Sequence, residues 1–191
     1  MLVFFDVETS DYAPPSGTPA TDTKAWPRLV QIGWTCCDAK GRELEAREEL
    51  VRPNGYTIAP RVVAIHGITT ERAARDGREL RDVLCEFSRV VNEADILVAH
   101  NLAFDHAVVS AEYVRAELPR PRDRRRHVCT MLGSTDYCEL PGKYGKHKWP
   151  KLEELHVKLF GEAFSGAHTA LEDARACMRC YFRLGELGVV A

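Results

Sequence analysis

The sequence predicts an α/β fold in which a mixed sheet carries helices on its faces. Two observations predict this class. Runs of strand-forming residues dominate the first part of the chain, and the later part shows apolar residues at helical spacing around one further short apolar run. With 191 residues and 45% hydrophobic content, the chain fits one domain, 1–191, that is large enough to bury its own core.

The first strand, predicted over residues 2–8, carries two carboxylates one residue apart, Asp6 and Glu8. Because successive side chains of a strand point to opposite faces, these two emerge on the same side. Like charges held so close repel each other unless a cation or a proton lies between them. The alternative is an edge strand with solvated carboxylates, but residues 2–5 are all apolar, which favours a strand covered on both faces.

A long loop is predicted next, over residues 11–27. It is rich in Pro, Gly, Thr and Ser, and its Pro14-Pro15 pair and Gly17 interrupt regular structure. Connections of this length are uncommon inside compact domains and are usually functional. We therefore expect a functional or mobile loop over residues 11–27.

Two β-rich runs, 29–37 and 45–51, are joined by turn residues at 39–41, which predicts a hairpin beside the first strand. Short helices are predicted within 59–75. An amphipathic helix follows, predicted from apolar residues at three- and four-residue spacing: Leu80, Val83, Leu84, Phe87, Val90 and Val91.

The second half alternates between short strand and helix patterns. A short apolar strand is predicted at 96–99, and Asn101 is the predicted N-cap of a helix over about 102–117. The segment 128–138 is predicted to be helical, and Pro150 is predicted to lie in the first turn of the next helix.

The last helix is marked by Thr169 and Glu172, which have the S/T-x-x-E spacing of a capping box. Thr169 is therefore the predicted N-cap and Glu172 its partner. Five residues apart within one helix, His168 and Asp173 would point in different directions. If the helix begins at Thr169, His168 lies outside it and is free to reach a site, while Asp173 projects from the second turn.

Asp105 lies near the start of the helix predicted over 102–117, where the helix dipole tolerates a carboxylate. Taken singly, Asp105 or Asp173 could be an ordinary helix-start residue. Three elements can nevertheless bring four carboxylates and one imidazole together, a set that helix capping does not explain: Asp6, Glu8, Asp105, Asp173 and His168.

Three segments resemble the exonuclease motifs of the DEDDh (DnaQ-like) 3′–5′ exonucleases, in the family's order and rough spacing. They are Phe5-Asp6-Val7-Glu8-Thr9, His100-Asn101-Leu102-Ala103-Phe104-Asp105 and His168-Thr169-Ala170-Leu171-Glu172-Asp173. Two further segments, around Ile65-His66-Gly67 and Lys148-Trp149-Pro150, resemble the epsilon subunit of bacterial DNA polymerase III. The resemblance implies a ribonuclease H-like fold: a five-stranded mixed sheet flanked by helices, with the first three strands antiparallel.

Phosphodiesters are anionic, so four carboxylates suit their hydrolysis only when divalent ions lie between them. The resemblance implies two Mg²⁺ ions, with Mn²⁺ as a substitute. In the family's pattern Asp6 reaches both ions, while Glu8 and Asp173 help to hold the ion on the nucleophile side. Asp105 holds the other ion, and His168 accepts the proton of the attacking water, a task that suits an imidazole near neutral pH.

Substrate contacts are predicted around the first motif. The backbone of Thr9 and Ser10 is expected near the terminal nucleotide, and Phe104 is expected to pack on its base or sugar. The resemblance to epsilon places His66 near the terminal base or ribose. The alternative for His66 is a half-buried histidine that caps a turn.

Net charge is −2, but basic residues are concentrated in two segments. Such segments are most often solvated faces, yet two of them beside an acidic site would also suit an enzyme that follows a phosphate backbone. Trp26 and Trp149 are either stacking platforms or core residues. The basic residues are Arg120, Arg122, Arg124, Arg125 and Arg126, then Lys143, Lys146, His147, Lys148 and Lys151.

The sequence thus predicts a 3′–5′ exonuclease that releases nucleoside 5′-monophosphates from single-stranded or frayed 3′ ends, with DNA favoured, in proofreading, repair or degradation. The alternatives are an exoribonuclease of the RNase T or oligoribonuclease kind, an RNase H-type endonuclease and a non-catalytic polymerase-associated module. A polymerase or another replication or repair protein is the candidate protein partner.

No membrane association is expected, because no apolar run approaches the roughly 18 residues that span a bilayer. The N-terminus shows no secretory-signal pattern, and the seven cysteines have no framework spacing. We therefore expect a cytoplasmic protein with reduced thiols.

Overall fold

The computed structural model describes residues 1–121 and 126–190. Its centre is a five-stranded sheet with the strand order β3-β2-β1-β4-β5. The strands are β1 (Leu2–Thr9), β2 (Leu29–Cys37), β3 (Glu43–Leu50), β4 (Ile96–Ala99) and β5 (Arg126–Cys129). β1, β2 and β3 pair antiparallel, and β4 and β5 continue the sheet in parallel with β1. The predicted mixed sheet is confirmed, and β1 is a central strand and not an edge.

The described part of the chain has eight α-helices and one short 3₁₀ helix, Lys143–Gly145. The α-helices are α1 (Pro60–His66), α2 (Thr70–Asp76), α3 (Leu80–Glu93), α4 (Leu102–Arg115), α5 (Thr130–Gly133), α6 (Thr135–Cys138), α7 (Leu152–Phe160) and α8 (Ala170–Glu186). Within these residues, no helix combines the length and the apolar character that a membrane span requires.

The alternation of side chains along β1 divides the core between the two faces of the sheet. Val3 and Phe5 pack with the buried apolar residues of α3 and α4, whereas Leu2 and Phe4 pack with Cys177 and other residues of α8. Even-numbered residues of β1 therefore point toward α8. Asp6 and Glu8 share this face, so the register that builds the core also directs both carboxylates toward the last helix.

The prediction of a helix over 128–138 is wrong at its start. Residues 126–129 form β5, paired in register with β4, and the helical part that follows is divided into α5 and α6 at Ser134. Pairing with an available strand edge outweighs the local helical pattern here. Of the predicted Arg cluster, residues 122–125 lie outside the described residues.

Two predicted helix starts differ in detail. Asn101 does precede α4, but its side chain makes no capping bond and its backbone is left-handed, with φ 76°. Pro150 lies outside α7, which begins at Leu152, and the Glu154 carboxylate accepts a bond from the Lys151 amide at 2.8 Å.

The 11–27 loop is folded against α4 by a buried ion pair network. Glu112 is 0% exposed and accepts bonds from the guanidinium of Arg28, from that of Arg115 and from the amide of Leu29. Arg115 in turn donates to three backbone carbonyls near the end of the loop. The end of the loop is therefore fixed beside the last turn of α4.

Candidate active site

Four acidic residues reach one end of the sheet from three elements. Asp6 and Glu8 come from β1, Asp105 from the first turn of α4, and Asp173 from the first turn of α8, slightly nearer its start than predicted. Carboxylate oxygens of Asp6, Glu8 and Asp173 lie within 4.8 Å of one another. Asp105 is 2% exposed, and its Oδ1 accepts a bond from the Val7 amide at 3.2 Å.

The close approach of α8 to the sheet depends on Gly33. This residue pairs with Asp6 across β1 and β2. A Cβ atom at Gly33 would lie 2.2 Å from the amide nitrogen of Leu171 and 2.3 Å from the carbonyl carbon of Ala170. Because no side chain stands there, the backbone of the first turn of α8 lies directly on β2, which brings Asp173 to Asp6.

The predicted capping box does not form at the start of α8. Thr169 occupies the N-cap position, but its hydroxyl donates to a carbonyl of the preceding loop, and Glu172 pairs with an arginine of α8 itself. The first two helical amides donate instead to Gln31 Oε1 and Glu48 Oε1, at 3.1 and 3.2 Å. Side chains of the sheet thus satisfy donors that a local cap was expected to satisfy.

His168 lies outside α8, as predicted, with an exposed side chain. Its backbone has φ 71°, a left-handed conformation that is costly for a residue with a Cβ. Its amide donates to Asp173 Oδ2 at 3.0 Å, which helps to hold this conformation. His168, Asp6 and Asp173 line one depression of the surface.

The carboxylates raise one another's pKa. Burial and the charges of Asp105 and Asp173 hold the pKa of Asp6 well above its usual value, and burial also raises that of Asp105. Burial and the same two neighbours raise the pKa of Glu8 to about 8, and burial raises that of Asp173 to about 6. Across residues 1–121 and 126–190, no lysine or arginine forms an ion pair with any of these four.

This donor set fits divalent cations. Hard ions such as Mg²⁺ bind carboxylate oxygens, and three of the four side chains already offer oxygens within reach of a common point. No lysine or arginine of the described residues pairs with these carboxylates, so a divalent cation is the group that would relieve their repulsion.

A second depression adjoins the end of β1. It is lined by Glu8, Thr9, Tyr12, His66 and Phe104, among others. The ring of Phe104 lies 6.2 Å from that of Trp26, a partly buried residue that packs on the core. For Trp26 the core alternative is therefore correct, and its position supports the Phe104 ring from behind.

The side chains of His66 and Ser10 form hydrogen bonds with neighbouring backbone groups. His66 is 7% exposed; its Nδ1 accepts a bond from the Ile68 amide at 3.0 Å, and its Nε2 lies 3.3 Å from the Thr9 carbonyl oxygen. This is the turn-capping geometry, and burial lowers the pKa of His66. Ser10 is also buried, and its hydroxyl accepts a hydrogen bond from the Arg28 amide. Its own amide donates to the Arg28 carbonyl and its carbonyl accepts from the Ala59 amide, so each of its polar groups already has a partner within the protein.

Several residues of the site were not predicted. His100 and Lys151 line the depression that contains Asp6 and His168. The imidazole of His100 bonds to Thr130 Oγ1 at 3.0 Å and to the Pro150 carbonyl at 2.9 Å, which ties α5 to the start of α7. His100 directly precedes Asn101 in the second motif. This position in the motif is the sequence feature that could have identified it as a residue of the site.

The raised carboxyl pKa values predict how stability depends on pH. A Glu8 carboxyl that titrates at about 8 in the folded state, but near 4.5 when unfolded, keeps a proton that the unfolded chain releases. Its contribution to stability is full below about pH 4.5 and is lost as pH rises to about 8. In chelator, we expect the midpoint of thermal unfolding to fall across this range.

Saturating Mg²⁺ should raise the midpoint at pH 8 because the ion binds only the folded site. Glu8→Gln should make the pH profile in chelator less steep, since it removes one of the four carboxyls whose pKa is raised. Thermal melts between pH 4.5 and 8.5 measure both effects. A profile with the same slope in Glu8→Gln and in the wild type would contradict the assignment to Glu8.

A model of the exonuclease family, of the RNase T type, matches residues 3–181. The chain is 31% identical to DNA polymerase III subunit epsilon of Treponema pallidum over 156 residues, covering 81% of this chain and 66% of that protein. It is 30% identical over 180 residues to the PolC-type DNA polymerase III of Streptococcus thermophilus, covering 94% of this chain and 11% of that protein.

Solved structures of exonuclease I are similar in fold. E. coli exonuclease I in complex with a dA16 oligonucleotide superposes with a TM-score of 0.74 at 19% identity, covering 97% of this chain and 40% of that chain. The Methylocaldum szegediense enzyme gives a TM-score of 0.71 at 21% identity. The likeness confirms the ribonuclease H-like fold, while this chain spans no more than 66% of the length of these relatives.

Proposed function

This chain belongs to the exonuclease family, and we propose that it hydrolyses DNA from the 3′ end, releasing nucleoside 5′-monophosphates one at a time. Single-stranded or frayed ends are the proposed substrate. The observation that carries this proposal is the group of Asp6, Glu8 and Asp173 oxygens within 4.8 Å, with buried Asp105 beside it.

Two Mg²⁺ ions, or Mn²⁺ in their place, would be held by Asp6, Glu8, Asp105 and Asp173. When bound, such ions supply Lewis-acid stabilisation of the negative charge that develops on the phosphate being cleaved. Asp6 would contact both ions; this role is supported by the position of its carboxylate within 4.8 Å of those of Glu8 and Asp173.

The proton of the attacking water would pass to an imidazole nitrogen of His168. The exposed ring shares a depression with Asp6 and Asp173, so it can reach a water next to the carboxylates. The bond from the His168 amide to Asp173 Oδ2 orients this loop residue relative to the acidic group.

The second depression is the proposed site of the terminal nucleotide. Phe104 would pack on its base or sugar, with Trp26 behind the ring, and the Thr9 backbone would lie alongside. His66 would contact the same nucleotide from the edge of the depression, although its bonds to Ile68 and Thr9 limit its movement.

DNA is the favoured substrate class because the two relatives named above are DNA polymerase III proteins and a fold relative is described in complex with dA16. The same relatives favour a replication or repair polymerase as a partner. An exoribonuclease is the second candidate, since the family model is of the RNase T type.

A ladder assay tests the proposal. DNA and RNA 20-mers of matched sequence, labelled at the 5′ end, are incubated with Mg²⁺, Mn²⁺ or chelator, and a circular single-stranded DNA is included. We expect a ladder shortened from the 3′ end on DNA, none in chelator, and an intact circle. Faster shortening of RNA would support the exoribonuclease, cleavage of the circle an endonuclease, and no cleavage at all a non-catalytic module.

A further inference from the structure

The 140–150 loop, which precedes α7, has a defined fold. The Lys148 amide donates to the Leu140 carbonyl at 3.0 Å, and Pro141 and His147 form an isolated bridge. A Cβ atom at Gly142 would lie 2.4 Å from the Lys146 carbonyl oxygen, so the two arms of the loop are closely packed. Its side chains are therefore displayed from a folded turn.

Two aromatic side chains project from this loop. Tyr144 is 97% exposed at a left-handed position, with φ 57°, and Trp149 is 64% exposed. Neither makes an aromatic contact among the described residues. For Trp149 the core alternative is thus wrong. Exposed aromatic rings beside basic residues are the pattern by which proteins stack the bases of single strands.

The loop is also strongly basic. Residues 140–150 contain four basic side chains and no acidic one, in a chain whose net charge is −2. His147 pairs with Asp136, and Lys148 pairs with Glu154. Among the described residues no ion pair involves Lys143 or Lys146, so their charges are available to an anionic partner.

The loop is continuous with the depression that holds the carboxylates. Its last residue, Pro150, accepts a bond from His100 Nε2, and the next residue, Lys151, lines that depression together with Asp6. The end of the loop is therefore held beside the depression that contains the carboxylates.

We propose that the 140–150 loop binds the single strand on the 5′ side of the nucleotides being removed. Tyr144 and Trp149 stack on its bases, and Lys143 and Lys146 contact its phosphates. This proposal rests on the proposed exonuclease function and extends it, because it makes efficient hydrolysis depend on substrate length. Stacking is sequence-tolerant, so the loop gives affinity without base preference.

The test compares a short with a long substrate. The p-nitrophenyl ester of thymidine 5′-monophosphate fills only the catalytic end, whereas dT20 reaches the loop. For Tyr144→Ala/Trp149→Ala we expect the KM for dT20 to rise about tenfold or more, with hydrolysis of the ester unchanged. Thermal melts confirm that the variant folds.

Salt dependence tests the lysines. Binding of 5′-fluorescein-dT20 is measured in chelator by anisotropy, so that no hydrolysis occurs. Each of Lys143→Gln and Lys146→Gln should reduce the slope of log Kd against log salt by about 0.7. The matched control is Lys40→Gln, in the turn between β2 and β3, which should leave the slope unchanged.

The proposal would be overturned if Tyr144→Ala/Trp149→Ala reduced hydrolysis of the ester and of dT20 equally. It would also be overturned if KM and Kd for dT20 were unchanged in the loop variants. A control slope that changes as much as those of the loop variants would overturn it as well. A wild type that hydrolyses neither substrate would refute the proposed function instead, and the anisotropy measurement would still decide whether the loop binds the strand.

Discussion

Asp6→Asn is expected to lower kcat for release of nucleotides from dT20 by about 10³-fold or more. Asp6 lies at the centre of the acidic group, and Asp105, Asp173 and Glu8 all act on it. The asparagine amide is neutral and offers a single oxygen, so the charged ligand that both proposed ions would share is lost. Single-turnover assays at saturating Mg²⁺ measure the effect on chemistry apart from product release.

The same variant should be more stable than the wild type in chelator at pH 8, because a buried repelling charge has been removed. Each kcal/mol of relieved repulsion raises the unfolding midpoint by roughly 2–4 °C in a chain of this size. Asp76→Asn is the matched control, since that exposed residue of α2 pairs only with Arg75 in the described structure. Activity of Asp6→Asn within tenfold of the wild type would refute the assignment.

His168→Gln is expected to lower kcat by about 10²–10⁴-fold at neutral pH, the range associated with loss of a general base. The defect should shrink as pH rises, because hydroxide increasingly replaces the missing proton acceptor. Rates measured from pH 6 to pH 10 test this, with the wild type run in parallel at the same Mg²⁺ concentration.

Metal binding distinguishes the two variants. His168→Gln keeps all four carboxylates, so Mn²⁺ should still raise its unfolding midpoint, whereas Asp6→Asn should lose most of that rise. A defect in His168→Gln that stays constant with pH, together with loss of the Mn²⁺ effect, would show that the residue organises the acidic group and does not accept a proton.

The sequence was most informative where a short-range pattern determines geometry. Alternation along β1 was enough to put Asp6 and Glu8 on one face, and the position of His168 before α8 was enough to separate it from Asp173. The acidic cluster of Asp6, Glu8 and Asp173 depends in addition on the packing of α8 against the sheet at Gly33, which no sequence pattern revealed.

Tertiary contacts decided the features that local patterns misjudged. The amides at the start of α8 bond to Gln31 and Glu48, more than a hundred residues earlier, so no capping motif could reveal them. β5 exists because an edge of β4 was available for pairing. The 11–27 loop takes its shape from Arg115, whose bonds to distant carbonyls leave no sequence pattern.

Because residue 33 is a glycine, the position restricts which substitutions this enzyme can tolerate. The distance from Asp6 to Asp173 is fixed by two backbones in contact, at a position that bears no functional group. A single added methyl there would separate the helix from the strand while leaving every reactive group intact. Inactivating substitutions are thus expected at a residue that takes no part in the chemistry.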